Sequence, residues 1–184
     1  MNKVSIRKRL IKLRKKSYSK NFSISSIKFF KLLEKKKLGS KIIGGYYPFN
    51  HELEILNILG ELEKKNYIFS LPKISKNNEM NFFKWSKNEP LKINKYGIPE
   101  PISGKKMYPN ILLIPLVGFD YHLNRLGYGG GYYDRFLESV IQSNNRPLLV
   151  GLIYDFQFID DSINEAHDLK LDIVFSELQI KKFS

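Results

Sequence analysis

Apolar residues in the first part of this chain recur mostly at helical spacing. Ile6, Leu10 and Leu13 stand at i, i+4 and i+7 among basic residues, which predicts a helix over 3–16. Ile27, Phe30, Leu32 and Leu33 predict a second helix at about 23–37, with Ser23 or Ser25 as its cap and Gly39 placed to end it. Residues 41–46 read as a short strand, closed by Pro48. Asn50 then stands as an N-cap for a helix over 51–64, with Leu53, Leu56, Leu59 and Leu62 on its buried side. Strands are expected at Tyr67–Leu71 and Met80–Trp85, followed by a long loop over 86–110 that holds four prolines and two glycines.

The second half alternates more regularly. Ile111–Pro115 is a short continuous apolar run, the pattern of a strand covered on both faces in a parallel sheet. A helix at about 131–142 and strands at Leu148–Tyr154 and Asp172–Phe175 complete the chain. Alternating helices and strands predict an α/β fold of three α/β/α layers around a mostly parallel sheet. No repeat and no biased interior linker divides the chain, so one domain over 1–184 is expected, with a basic helical segment at about 1–41.

Composition narrows the chemistry. With no cysteine among 184 residues, a disulfide framework, a thiolate nucleophile and a Cys-ligated metal or iron–sulfur site are excluded. No apolar run approaches the roughly 18 residues of a membrane span, and the first residues lack the apolar core of a signal peptide. A cytoplasmic protein with no membrane partner is expected. The net charge of +13 suggests a nucleic-acid partner, but its placement argues otherwise. Residues 1–41 hold fifteen basic residues against one acid, Glu34, while the rest of the chain is nearly neutral. Lysine outnumbers arginine 25 to 6, whereas base readers lean on arginine for bidentate contacts. No nucleic-acid partner is expected; a smaller polyanion, or only water, suits that face.

One segment concentrates functional residue types. In Asn124–Arg135, Arg125 and Leu126 are followed by four glycines within 127–131, by Tyr128, Tyr132 and Tyr133, and by Asp134. Glycines opening a helix let successive backbone N–H groups cradle an anion, and the helix N-terminus adds positive potential. Arg125 supplies a cation, and Asp134 a carboxylate that could hold Mg²⁺ on a phosphate. A plain glycine turn with Asp134 as a helix-stabilising acid is the competing reading. Known nucleotide fingerprints are absent: there is no Gly-Lys-Ser/Thr, and G-x-G-x-x-G would need glycine where Tyr132 stands. His51, His122 and His167 form no metalloprotease motif, and no G-x-S-x-G elbow occurs.

Five elements in order carry a resemblance: Lys3-Val-Ser-Ile-Arg7, Tyr46-Tyr-Pro-Phe-Asn-His-Glu52, Gly97-Ile-Pro-Glu-Pro101, the stretch from Gly118-Phe-Asp through Arg135, and His167-Asp-Leu-Lys-Leu-Asp172. Over about residues 3–176 the chain resembles the 5-formyltetrahydrofolate cyclo-ligases, also called 5,10-methenyltetrahydrofolate synthetases. The resemblance implies a fold of the NagB/RpiA/CoA-transferase-like type, with ATP and Mg²⁺ as cosubstrate and cofactor. By it, Lys3 and Arg7 are ATP contacts, and their i, i+4 spacing places both on one helix face. Residues Arg125, Leu126, Gly127, Tyr128, Gly129, Gly130, Gly131, Tyr132 and Tyr133 match the ATP loop, of which 128–132 also face folate. Arg125 and Asp134 are its catalytic pair, and Asp134 and Asp168 its metal ligands. Tyr47 and Glu52 match folate contacts, an aromatic plate and a carboxylate suited to a pterin. Glu52 also fits a first-turn helix cap after Asn50, and Asp168 a surface acid. Gly130 stands where some members carry lysine, which leaves more of the phosphate charge to the backbone amides, Arg125 and the pair Lys3 and Arg7.

The implied reaction joins 5-formyltetrahydrofolate and ATP into 5,10-methenyltetrahydrofolate, ADP and phosphate. The N5-formyl oxygen attacks the γ-phosphate; N10 then attacks the activated carbon, and phosphate leaves. The folate partner includes forms with polyglutamate tails. Two other readings stand beside this one: a basic RNA- or ribosome-associated module, and a relative that binds nucleotide without folate turnover.

Overall fold

The computed structural model describes residues 2–18, 23–35, 41–75, 77–160, 162–163, 170–176 and 180–182. In chain order the elements are α1 (Lys3–Ser17), α2 (Ser26–Lys35), β1 (Ile42–Gly44), α3 (Leu59–Lys64), β2 (Ile68–Ile74), β3 (Met80–Lys84), β4 (Leu91–Ile93), β5 (Pro99–Pro101) and β6 (Lys106–Met107). They continue as β7 (Ile111–Pro115), β8 (Gly118–Phe119), β9 (Arg125–Leu126), α4 (Tyr132–Gln142), β10 (Leu148–Leu152), β11 (Ile173–Phe175) and β12 (Ile180–Lys182). An eight-stranded sheet runs in the order β12-β11-β10-β7-β1-β2-β3-β6. Its centre, β11 through β2, is parallel, and the antiparallel strands lie at the edges.

Helices cover both faces, as the alternation predicts. Phe29, Phe30, Leu32 and Leu33 of α2 and Leu59 and Leu62 of α3 pack with Ile43, Phe69, Leu113 and Val150 on one face. Phe136 and Leu137 of α4 pack with Phe82, Leu112, Ile114 and Leu149 on the other. A third cluster seats Ile6 and Leu10 of α1 against Val117, Leu126 and Ile159, beyond the C-terminal end of β7. Close packing leaves no room at Gly44, where an added Cβ would meet Leu112 at 2.6 Å and Phe82 at 2.8 Å.

Four local expectations need correction. In α1 the buried stripe is Ile6, Leu10 and Arg14, whereas Leu13 is 37% exposed. In α2, Ile27 is 69% exposed and Phe29 takes the core position. Ser25 rather than Ser23 lies within reach of the α2 amides, accepting from Lys28 N at 3.5 Å, and Gly39 lies outside the described residues.

The helix expected over 51–64 is only its last turns. Asn50 and His51 both take left-handed backbone, with φ of 50° and 62°, which reverses the chain instead of starting a helix. Glu52 Oε2 then accepts Phe49 N at 3.0 Å, and Glu54 Oε1 accepts Leu56 N at 2.6 Å. These side chains satisfy backbone donors locally, so regular helix begins only at Leu59, after a 3₁₀ turn over Leu56–Ile58.

The expected long loop 86–110 contains three strands. β4 and β5 form a hairpin whose turn is held by Asn94 Oδ1, which accepts Tyr96 N at 2.9 Å and Ile98 N at 3.2 Å, with Gly97 at φ 78°. Proline is compatible with these strands because a two-stranded ribbon has outward-facing sides that need no N–H.

Candidate active site

The site lies where the parallel strands end and their loops diverge, the usual ligand position in a parallel sheet. Two loops build it: residues 45–55 after β1, and residues 116–131 after β7. The second is shaped by Asp120, which is 1% exposed. Its Oδ1 accepts His122 N at 2.9 Å and Asn124 N at 3.0 Å, and its Oδ2 accepts Asn124 Nδ2 at 2.8 Å and Ile163 N at 3.0 Å. This carboxylate therefore folds the β8–β9 hairpin that delivers Arg125. Its position in the resembling motif is structural.

After β9 the glycines take the shape their residue type permits. Gly129 has φ 95°, and Gly131, the N-cap of α4, has φ 65°. A Cβ at Gly131 would also stand 2.6 Å from Arg135 Nη1. Arg7 reaches in from α1: its Nε donates to Gly127 O at 2.8 Å, and its Cζ lies 3.6 Å from where a Gly129 Cβ would be. Lys3 lies one turn earlier on the same helix, with Asn2 Oδ1 capping Val4 N at 2.9 Å.

Arg125 is buried beneath this loop. Its guanidinium donates to Asp134 Oδ1 and lies over the Tyr133 ring, with Cζ 5.9 Å from the centroid. Its Nε is buried and has no hydrogen-bond partner among the described residues. The Asp134 side chain is 39% exposed and lies in the first turn of α4. Glycine amides and helix N-terminal N–H groups close to the Arg125 guanidinium, whose Nη1 lies 3.5 Å from where a Gly127 Cβ would be, suit an anion. For a divalent cation the donor set is smaller, since no cluster of three or more candidate ligands occurs among the described residues. Asp134 fits Mg²⁺ as one hard oxygen ligand beside phosphate oxygens, the sparse protein coordination that this ion accepts. Asp168 lies outside the described residues.

On the other side of the loop Tyr128 donates its hydroxyl to Glu52 Oε1 at 3.0 Å. Glu52 is 7% exposed, and burial raises its pKa to about 7 against the lowering effects of Arg14, Phe49 N–H and the Tyr128 hydroxyl. Burial and the Glu52 charge push the Tyr128 and Tyr133 phenols well up, so both are neutral donors. Tyr47 packs edge-on to Trp85, with centroids 6.5 Å apart. Tyr132 pairs edge-on with Tyr96 of the β4–β5 turn and carries Arg135 over its ring at 5.0 Å. Gly130 lies against the Tyr132 ring, where a Cβ would approach Cδ2 to 3.0 Å.

The structure thus brings together Arg7, Arg125, Gly127 to Gly131, Tyr133 and Asp134, and joins them through Tyr128 to Glu52. Tyr47 packs on Trp85. Sequence reasoning missed Arg14, which donates to Tyr128 and to Leu116 O at 3.0 Å. Its signal was present: an arginine four residues beyond Leu10, on the stripe that carries the core.

The sequence model of the 5-formyltetrahydrofolate cyclo-ligase family matches residues 1–177. The chain belongs to that family. It is 32% identical over 147 residues to the 5-formyltetrahydrofolate cyclo-ligase of Haemophilus influenzae, covering 76% of each chain. It is 30% identical over 140 residues to that of Mycoplasma pneumoniae, covering 74% of this chain and 73% of the other. Its fold matches the 5,10-methenyltetrahydrofolate synthetase structure from Mycoplasma pneumoniae with a TM-score of 0.71, at 25% identity over 96% of this chain and 99% of that one. The Aquifex aeolicus 5,10-methenyltetrahydrofolate synthetase matches with a TM-score of 0.71 at 28% identity, over 99% of this chain and 93% of the other. Membership makes the chain an enzyme of the ligase class, and the matches favour cyclo-ligase over a basic RNA- or ribosome-associated module. Among the described residues no helix is long and apolar enough to cross a membrane.

Proposed function

We propose that this cyclo-ligase closes 5-formyltetrahydrofolate to the 5,10-methenyl form with ATP at the junction of the glycine loop and the Glu52 loop. The observation that carries this reading is the Tyr128 hydroxyl bonded to Glu52, because it makes one loop the common wall of a phosphate cradle and a carboxylate pocket. In this reading Arg7, Lys3 and the amides of 127–131 receive the triphosphate, and Tyr132 and Tyr133 wall the loop. Arg125 faces the transferring phosphoryl group, where fixed charge lowers the barrier. Asp134, with Asp168 as a second carboxylate, would hold Mg²⁺, which offsets the charge on the phosphates.

On the folate side Glu52 accepts from pterin N–H groups and Tyr47 offers a ring to the pterin. The formyl oxygen displaces ADP from the γ-phosphorus. N10 then attacks the activated carbon and loses its proton, and phosphate departs with the former formyl oxygen. The protein's contribution is orientation and charge, so no side-chain nucleophile is required. Polyglutamate tails on the substrate, a cytoplasmic location and a one-domain organisation over 1–184 belong to the same reading.

The test is direct. Mixed with MgATP and 5-formyltetrahydrofolate, the protein should generate the methenyl chromophore with one ADP released per folate. ADP release without chromophore would instead indicate a relative that turns over nucleotide alone, and silence from folded protein would remove the proposal.

A further inference from the structure

Arg14 is an arginine at a core position, 1% exposed on the buried stripe of α1. A guanidinium taken out of water is strongly unfavourable unless hydrogen bonds and an opposite charge compensate it. Arg14 donates Nη1 to Leu116 O at 3.0 Å and Nη2 to the Tyr128 hydroxyl, and lies over the Tyr128 ring at 5.4 Å. Its Nε has no partner among the described residues, and among them it makes no direct ion pair with a carboxylate. The balancing charge is one link away: Tyr128 donates its hydroxyl to Glu52 Oε1 at 3.0 Å. Guanidinium, phenol and carboxylate thus form one chain through α1, the glycine loop and the loop after β1.

We propose that Arg14 is a positioning residue for the folate pocket: its buried charge fixes Tyr128 and keeps Glu52 ionised, so that the carboxylate can accept hydrogen bonds from a reduced pterin. This rests on Glu52 being a folate contact. Burial alone drives Glu52 toward its neutral form, and Arg14 is the largest influence against that, followed by Phe49 N–H and the Tyr128 hydroxyl. A neutral carboxyl would set an O–H toward the pterin N–H groups. The other groups around Glu52 do not replace Arg14. Tyr46, Tyr128 and Tyr133 have pKa values pushed up by burial and stay neutral, and Tyr154 donates to Glu52 O at 3.4 Å. Glu54 is itself an acid, and His51, next in the chain, packs edge-on to Tyr18 at 4.9 Å.

The experiment is the pH profile of kcat/KM for 5-formyltetrahydrofolate at saturating MgATP. Wild type should lose activity as pH falls below about 7, where Glu52 takes up its proton. In Arg14→Gln that acid limb should move up by about one pH unit or more, the shift expected on losing a nearby opposite charge, with KM raised about fivefold or more at pH 7 and kcat less affected. Arg14→Lys, which keeps the charge, should hold the limb near its wild-type position. Glu52→Gln should abolish the limb, and His51→Asn should leave it in place. An unmoved limb in Arg14→Gln, an equal shift in Arg14→Lys, or loss of the limb in His51→Asn overturns the proposal. If instead Glu52→Gln keeps wild-type KM and pH profile, it is the reading of Glu52 as a folate contact that fails. Should Arg14→Gln not fold, Tyr128→Phe cuts the same chain at its middle link with the charge left in place. Its limb must also move up, and an unmoved one overturns the role of the chain.

Discussion

Arg7 and Gly127, 120 positions apart, are joined by a hydrogen bond of 2.8 Å from Arg7 Nε to the Gly127 carbonyl. The bond uses one donor of the guanidinium and leaves its Nη groups beside the loop, next to Gly129. The first helix therefore supplies a wall of the glycine loop, the proposed phosphate cradle, 120 positions further along the chain. The cradle is a tertiary object, although each half is a local motif.

Gly129→Val should abolish or sharply weaken ATP binding while the fold persists. Gly129 holds φ 95°, where a β-branched side chain is strained by about 1–3 kcal/mol, so the loop would leave the shape that presents its amides. Calorimetric titration with ATP measures it. Unchanged affinity in the folded variant would move the phosphate site elsewhere.

Asp134→Asn should cut turnover by roughly 10²–10³-fold, about 3–4 kcal/mol, by analogy with the loss of other charges that act on the transition state. It removes both the proposed metal oxygen and the anion that faces the buried Arg125 guanidinium. Raising Mg²⁺ should rescue part of the loss. A wild-type rate at low Mg²⁺ would take Asp134 out of metal binding.

Glu52→Gln should stabilise the protein at pH 8 and not at pH 4. Glu52 has its folded pKa raised from 4.5 to about 7, so the neutral form is the one that folding favours. Its favourable contribution is fully present below the unfolded value of 4.5 and lost as pH rises through about 7. Above that, the buried ionised carboxylate costs about 3 kcal/mol relative to an unfolded chain, at 1.4 kcal/mol per pKa unit. Gln removes this cost along with the proposed folate contact. Denaturant midpoints compared at the two pH values check it, and a gain at both or at neither would contradict the cause assigned.

The basic N-terminal segment should matter to substrates with polyglutamate tails. Lys12, Lys15 and Lys16 are exposed on α1, and Lys35 on α2; Lys36 and Lys37 lie outside the described residues. Steering by such lysines is screened over a Debye length of about 8 Å at physiological salt. kcat/KM for a pentaglutamyl substrate should fall more steeply with salt than for the monoglutamyl one. Equal slopes would leave these lysines with solubility alone.

Much of the frame was legible before folding was considered, for physical reasons that differ by element. The parallel centre of the sheet was readable at Ile111–Pro115 because a strand covered on both faces must be apolar at every position. The glycine loop was readable because left-handed backbone at 129 and 131 restricts residue type directly. The start of helix at Leu59 was not readable. Asn50 has the chemistry of a cap, but the same chemistry tolerates a left-handed turn, and the backbone that Glu52 captures decides between them. The β4–β5 hairpin was hidden by prolines that only an open-edged ribbon accommodates.

By itself, then, the sequence determined what periodicity and residue type can encode: the alternation of helices and strands, the glycine cradle with Arg125 and Asp134 at its ends, and the cationic pair Lys3 and Arg7 on one helix face. The tertiary structure alone decided what each charge faces. Arg14 was one of fifteen basic residues in the first 41 until packing placed it beneath Tyr128 and within one link of Glu52. Glu52 was marked by its motif, but only burial in the fold raised its pKa. The spacing of residues along a chain sets which of them share a helix face, whereas charge and protonation depend on solvent and on partners about a hundred residues away, which only the closed fold brings near.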